Sequence, residues 1–82
     1  KYLKYPKAAI SKGIQGVVEV EFIIEKDGSV TNVRVVRGVD DLLDDEAVRV
    51  ISVSPKWIPG RIGGNKVRTK ITLPVLFILR KG

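Results

Sequence analysis

From Val17 to Glu25 apolar and polar residues take turns: Val18, Val20, Phe22 and Ile24 point one way, Glu19, Glu21 and Glu25 the other. Alternation of this period marks a strand with one buried face. Lys26-Asp27-Gly28-Ser29 follows, and its Asp-Gly pair supplies the positive φ of a tight hairpin, so Val30–Arg37 reads as the returning strand. The longest alternation comes last. Val67, Thr69, Ile71, Leu73, Val75, Phe77 and Leu79 hold every second position, with Lys66, Arg68, Lys70, Thr72 and Pro74 between them. This predicts a single strand of about 14 residues, long against the usual five or six. Pro74 inside it cannot donate a ladder hydrogen bond. Proline is tolerated on an edge strand or at a bulge, so the last strand is expected at an edge.

The intervening segments change period. Pro6 followed by Lys7–Lys12 predicts a short helix with proline in its first turn, and Gly13 a left-handed stop. Asp40-Asp41 can cap a second helix, and Asp44, Asp45 and Glu46 favour the positive end of its dipole. Leu43, Ala47, Val50 and Ile51 share one face, Arg49 stays on the solvent side, and Pro55 ends the helix near Val53-Ser54. Pro59–Asn65 is glycine-rich but lacks P-loop spacing and a Gly-Lys-Ser/Thr ending, and it leads into a strand, not a helix. A phosphate cradle is therefore not expected. The order helix-strand-strand-helix-strand gives an α+β fold in one domain over residues 1–82. It is a small antiparallel three-stranded sheet packed with two helices, the last strand at the edge.

Composition narrows the chemistry. No histidine and no cysteine is present, which removes the commonest general base and metal ligand, thiolate sites and disulfides; no cofactor is expected. Ser11, Ser29, Ser52 and Ser54 have no histidine to activate them, and the carboxylates from Asp40 to Glu46 suit a helix start without catalysis, so the chain does not read as an enzyme. The net charge of +6 permits acidic partners. Nucleic acid is not expected among them, because Tyr2, Tyr5, Phe22, Trp57 and Phe77 form no stacking platform beside Lys66, Arg68, Lys70 and Arg80. Trp57 is expected to anchor the core where the second helix meets the loop. The apolar run Val75–Leu79 is far shorter than the roughly 20 residues of a membrane span. A chain that opens on Lys1 suggests a fragment, of which any signal or anchor would lie upstream.

The last strand is unevenly guarded. Lys66, Arg68 and Lys70 protect its first half with charge, whereas Leu76 and Ile78 sit on the face that should be polar. The first helix, or the chain around Tyr2 and Tyr5, can cover them, and a partner peptide can add itself to the edge as a further strand; both can hold at once. The same edge can pair with its own copy in a strand-exchanged homodimer.

In order and spacing, Tyr5-Pro6, Ala9, Gly13, Gly16, Asp27-Gly28-x-Val, Leu43-Asp44 with Ala47, Trp57-x-Pro-Gly and Pro74-Val75-Leu76-Phe77 resemble the TonB C-terminal domain family, across essentially the whole chain. The resemblance implies a periplasmic domain of a Gram-negative energy transducer, anchored in the inner membrane by a segment outside this fragment. An inner-membrane motor complex, driven by the proton gradient, would supply the work. The partners it implies are the TonB box and plug of outer-membrane TonB-dependent receptors, with the box paired along the last strand at Val75, Leu76, Phe77, Ile78 and Leu79. A proline at Phe77 or Ile78 should then abolish peptide binding wherever the amide faces the partner. The region of Tyr5 and Pro6 is implied as a further contact, although the glutamine often found just before it has no counterpart in Lys1-Tyr2-Leu3-Lys4. A second reading keeps the fold as an interaction domain of another envelope protein, such as a membrane-bound regulatory peptidase.

Overall fold

The computed structural model describes residues 3–80. Its elements are α1 (Lys7–Lys12), β1 (Gly16–Ile24), β2 (Val30–Arg37), α2 (Asp41–Ser52), β3 (Gly60–Ile62), β4 (Asn65–Val67) and β5 (Thr69–Phe77). An antiparallel sheet runs in the order β2-β1-β5, and β3 and β4 pair separately as a small hairpin.

The local signals act as their chemistry dictates. The Pro6 carbonyl accepts the amides of Ala9 and Ile10 at 3.0 and 3.1 Å, and Gly13, at φ 67°, stops α1 in the left-handed region. Asp40 caps α2 by accepting the Leu42 amide at 2.9 Å, which satisfies one donor the helix itself leaves unpaired. Asp44 turns outward to take the Val39 amide at 3.0 Å, fixing the connection from β2.

Val18, Val20, Phe22 and Ile24 of β1 are buried, as alternation predicts, beneath Leu43, Ala47 and Ile51 of α2 and beside Val75 and Phe77 of β5. Trp57 lies against Phe22 with ring centroids 5.2 Å apart. Its backbone amide also donates to the Gly28 carbonyl at 2.9 Å, so the chain after α2 is bound to the hairpin turn. Gly28 sits at φ 88°, and a Cβ there would stand 2.5 Å from the Trp57 carbonyl oxygen. Gly28→Ala is therefore expected to lose roughly 2–4 kcal/mol, of which backbone strain alone accounts for about 1–3. Urea unfolding followed by Trp57 emission should show a lower midpoint at unchanged slope.

The long last strand is corrected. β5 holds nine residues, and Lys66 and Val67 belong to the β3–β4 hairpin, whose rungs are Gly60↔Val67, Arg61↔Lys66 and Ile62↔Asn65. The reason is the length of the partner. β1 meets β5 from Gly16↔Phe77 to Ile24↔Thr69, and the ladder stops at both ends of β1. At the corner, the Thr69 hydroxyl accepts the Gly60 amide at 2.9 Å and donates to the Val67 carbonyl at 3.2 Å. Arg68 swings aside to bind both carboxylate oxygens of Glu25 at 2.7 and 3.2 Å, which holds that carboxyl below its ordinary range.

Candidate functional site

The sheet has two open edges, and they differ. Along β2 the register with β1 shifts between Glu19 and Val20 and again between Glu21 and Ile23, and Asn32 adopts a φ of 53°. Such irregularities twist an edge away from further pairing. On the outer face of this half, Arg34 pairs with Glu21 at 2.9 Å and Arg37 with Glu19 at 3.7 Å. β5, by contrast, keeps one unbroken register over all nine residues.

Pro74 fixes which groups β5 presents. It lies opposite Glu19 in a regular ladder, so its missing donor costs nothing only if that position faces away from β1. Backbone groups alternate sides along a strand. Thr72, Pro74 and Leu76 therefore turn their backbone polar groups to the open edge, while Leu73, Val75 and Phe77 bond to β1. The same parity continues past the strand: the Leu79 amide donates to the Gln15 side-chain oxygen at 3.0 Å, on the β1 side. Ile78, between the two inward residues, joins the outward set.

Of the five residues expected to form the pairing edge, Val75 and Phe77 thus place their side chains in the core and their amides on β1, and Leu79 is half-buried. Leu76 and Ile78 remain, 52% and 61% exposed. Ile78 and Leu79 also lie just beyond the strand's end. Leu76 stands directly across from exposed Val17, which makes an apolar patch on the face of the sheet opposite α2. The first helix does not cover it. The Tyr5 ring meets Phe77 edge-on, centroids 5.4 Å apart, and its hydroxyl donates to the Ile14 carbonyl, so Tyr5 closes the core side of this end. Tyr2 lies outside the described residues. Tyr5 and half-buried Pro6 flank the Phe77 end of β5, and the preceding Lys4 amide is tied to Glu46 of α2 at 2.7 Å. A shallow, open depression at the opposite end of β1 is lined by Glu25, Lys26, Asp27, Ser29 and Arg68 and is taken up by the Glu25–Arg68 pair.

This is a small α+β domain that displays one regular, weakly defended edge strand, the construction used to capture extended peptides. The chain belongs to the family described as the Gram-negative bacterial TonB protein C-terminal, which matches residues 1–79. It is 40% identical over 57 residues to a Helicobacter pylori TonB protein, covering 68% of this chain and 20% of that protein. It is 31% identical over 77 residues to the Pseudomonas aeruginosa TonB protein, covering 94% and 22% respectively. The chain therefore spans about a fifth of the length of these relatives. Solved TonB C-terminal domains share the fold: that of Pseudomonas aeruginosa superposes with a TM-score of 0.75 at 29% identity, covering 100% of this chain and 83% of the other. That of Helicobacter pylori gives 0.73 at 30% identity, covering 98% and 72%.

Sequence reasoning missed the β3–β4 hairpin. The signal was there in Gly63-Gly64, a pair suited to a two-residue turn, flanked by Arg61-Ile62 and Asn65-Lys66.

Proposed function

We propose that this chain is the receptor-binding domain of a TonB-type energy transducer, working in the periplasm. It takes the TonB box of an outer-membrane receptor as a strand beside β5. In the full protein, an anchor in the inner membrane and a proton-driven motor complex would pull on that strand and drive active nutrient uptake. The observation that carries the reading is the unbroken β5 edge ending in two exposed apolar residues, Leu76 and Ile78, beside a β2 edge spoiled by bulges.

Affinity comes from the backbone. The amides of Thr72, Leu76 and Ile78 and the outward carbonyls between them offer a ladder, and each hydrogen bond contributes about 0.5–1.5 kcal/mol net. A pull along the strand loads these bonds together, so the clamp holds under load and releases when it ends. Leu76 and Ile78 give the incoming strand an apolar surface on the outer face, and a peptide running past Ile78 reaches the neighbourhood of Tyr5 and Pro6.

Titration of the isotope-labelled domain with synthetic TonB-box peptides tests this. The largest amide shifts are expected at Thr72, Leu76 and Ile78, with smaller ones at Val75 and Phe77, whose amides stay on β1. Shifts confined to β2, or none with any peptide from a folded monomer, would reject the edge assignment.

A further inference from the structure

All nine acidic residues fall between Glu19 and Glu46, so the 36 residues from Ala47 onward carry eight Lys and Arg and no acid. Arg49 is bonded to Glu46 and Arg68 to Glu25. The β3–β4 hairpin is different. Arg61 and Lys66 oppose one another on its middle rung, where like charges destabilise, and among the described residues neither has a carboxylate partner. Arg61 reaches only the Gly64 carbonyl, at 3.0 Å.

The same arm carries Ile58, 90% exposed, and Ile62, 71% exposed, more open than any other large apolar side chain among the described residues. The two isoleucines lie four residues apart in one segment, with Pro59, Gly60 and Arg61 between them. The turn at Gly63-Gly64 stands clear of the body, since a side chain at either glycine would meet nothing within 4 Å. The arm thus joins two costs, bare apolar surface and an unrelieved cation pair. A protein partner would have to present apolar and acidic surface side by side, matched to this one arm. A bilayer with anionic headgroups answers both, because apolar side chains enter the acyl boundary while Lys and Arg remain at the phosphates.

We propose that the arm from Ile58 to Val67 seats the domain peripherally on an anionic lipid surface, with Ile58 and Ile62 in the headgroup boundary and Arg61 and Lys66 on lipid phosphates. The arm adjoins the Thr69 end of β5, away from the apolar peptide edge at Leu76 and Ile78, so lipid and peptide can be held together.

The test uses phosphatidylcholine vesicles with and without about 30% phosphatidylglycerol, read by co-sedimentation and by energy transfer from Trp57 to a labelled lipid. The chain should bind the anionic vesicles and not the neutral ones. The double variant Ile58→Ser/Ile62→Ser should bind at least about tenfold more weakly, because its side chains no longer gain from leaving water. Arg61→Glu should weaken binding by a similar factor, although it turns a repulsive rung into an attractive one and so keeps the hairpin folded. All variants are titrated with TonB-box peptide in parallel, where unchanged affinity is expected. No binding to anionic vesicles at low salt overturns the proposal. Undiminished vesicle binding by the isoleucine variant overturns it too, since net charge alone would then explain the attraction. Variants that keep vesicle binding but lose the peptide overturn it in favour of an arm that serves a protein partner.

Discussion

Phe77→Ala is expected to cost about 3–5 kcal/mol, the usual loss for emptying a buried phenylalanine site. For a domain of this size that is much of a total stability of about 5–15 kcal/mol. Phe77 is 1% exposed, ends the sheet opposite Gly16, and receives the edge of the Tyr5 ring. Truncation would therefore leave a void bounded by two chain ends, and Tyr5 would lose the surface that orients it. Because β5 is the candidate peptide edge, the loss spreads to function through folding and not through contact. Urea unfolding monitored by Trp57 emission should show the midpoint fall steeply. A loss below about 1 kcal/mol would mean that the N-terminal segment collapses into the space.

Leu76→Pro and Ile78→Pro are expected to leave the domain folded and to weaken TonB-box binding by about 2 kcal/mol or more each, roughly thirtyfold in Kd. Both amides face the open edge, so the sheet loses no bond of its own, as Pro74 already demonstrates at the preceding outward position. An incoming strand loses a donor, keeps an unsatisfied carbonyl, and meets the pyrrolidine ring where the hydrogen was. Val75→Pro is the contrasting control. Its amide serves the ladder to β1, so that substitution should unfold the domain instead. Wild-type affinity in a folded Leu76→Pro variant would show that the peptide pairs elsewhere. Phe77, which the family pattern alone left open for this test, is unsuitable, because its amide and its side chain both belong to the fold.

How far the sequence could be read depended on where the controlling interaction lay. The β1–β2 hairpin and α2 were legible because their causes are local: alternation, the Asp27-Gly28 turn, and the Asp40 cap act within a few residues. The edge position of β5 was legible from Pro74, whose chemistry permits few other places. The ends of β5 were not legible. Alternation records which way side chains point and is silent on where a neighbour stops, so the run from Val67 to Leu79 looked like one strand although β1 spans only its middle. The outward parity of Leu76 and Ile78 needed the register against Glu19. The exposure of these two residues needed the placement of Tyr5, which packs on the core side and leaves the other face bare.

The sheet order β2-β1-β5 has a consequence for how the domain matures. β1 is flanked by its sequence neighbour on one side, but on the other by a strand whose residues follow 45 to 61 positions later, from Ile24↔Thr69 to Gly16↔Phe77. A chain emerging from its N-terminus can zip the hairpin at once and lay α2 over it, yet one flank of the central strand stays vacant until Phe77 has appeared. Pairings this remote form slowly, because the loop must close before the contacts reward it. The central strand thus gains its second neighbour only when the final strand arrives, and the native sheet is completed at the very end of the chain.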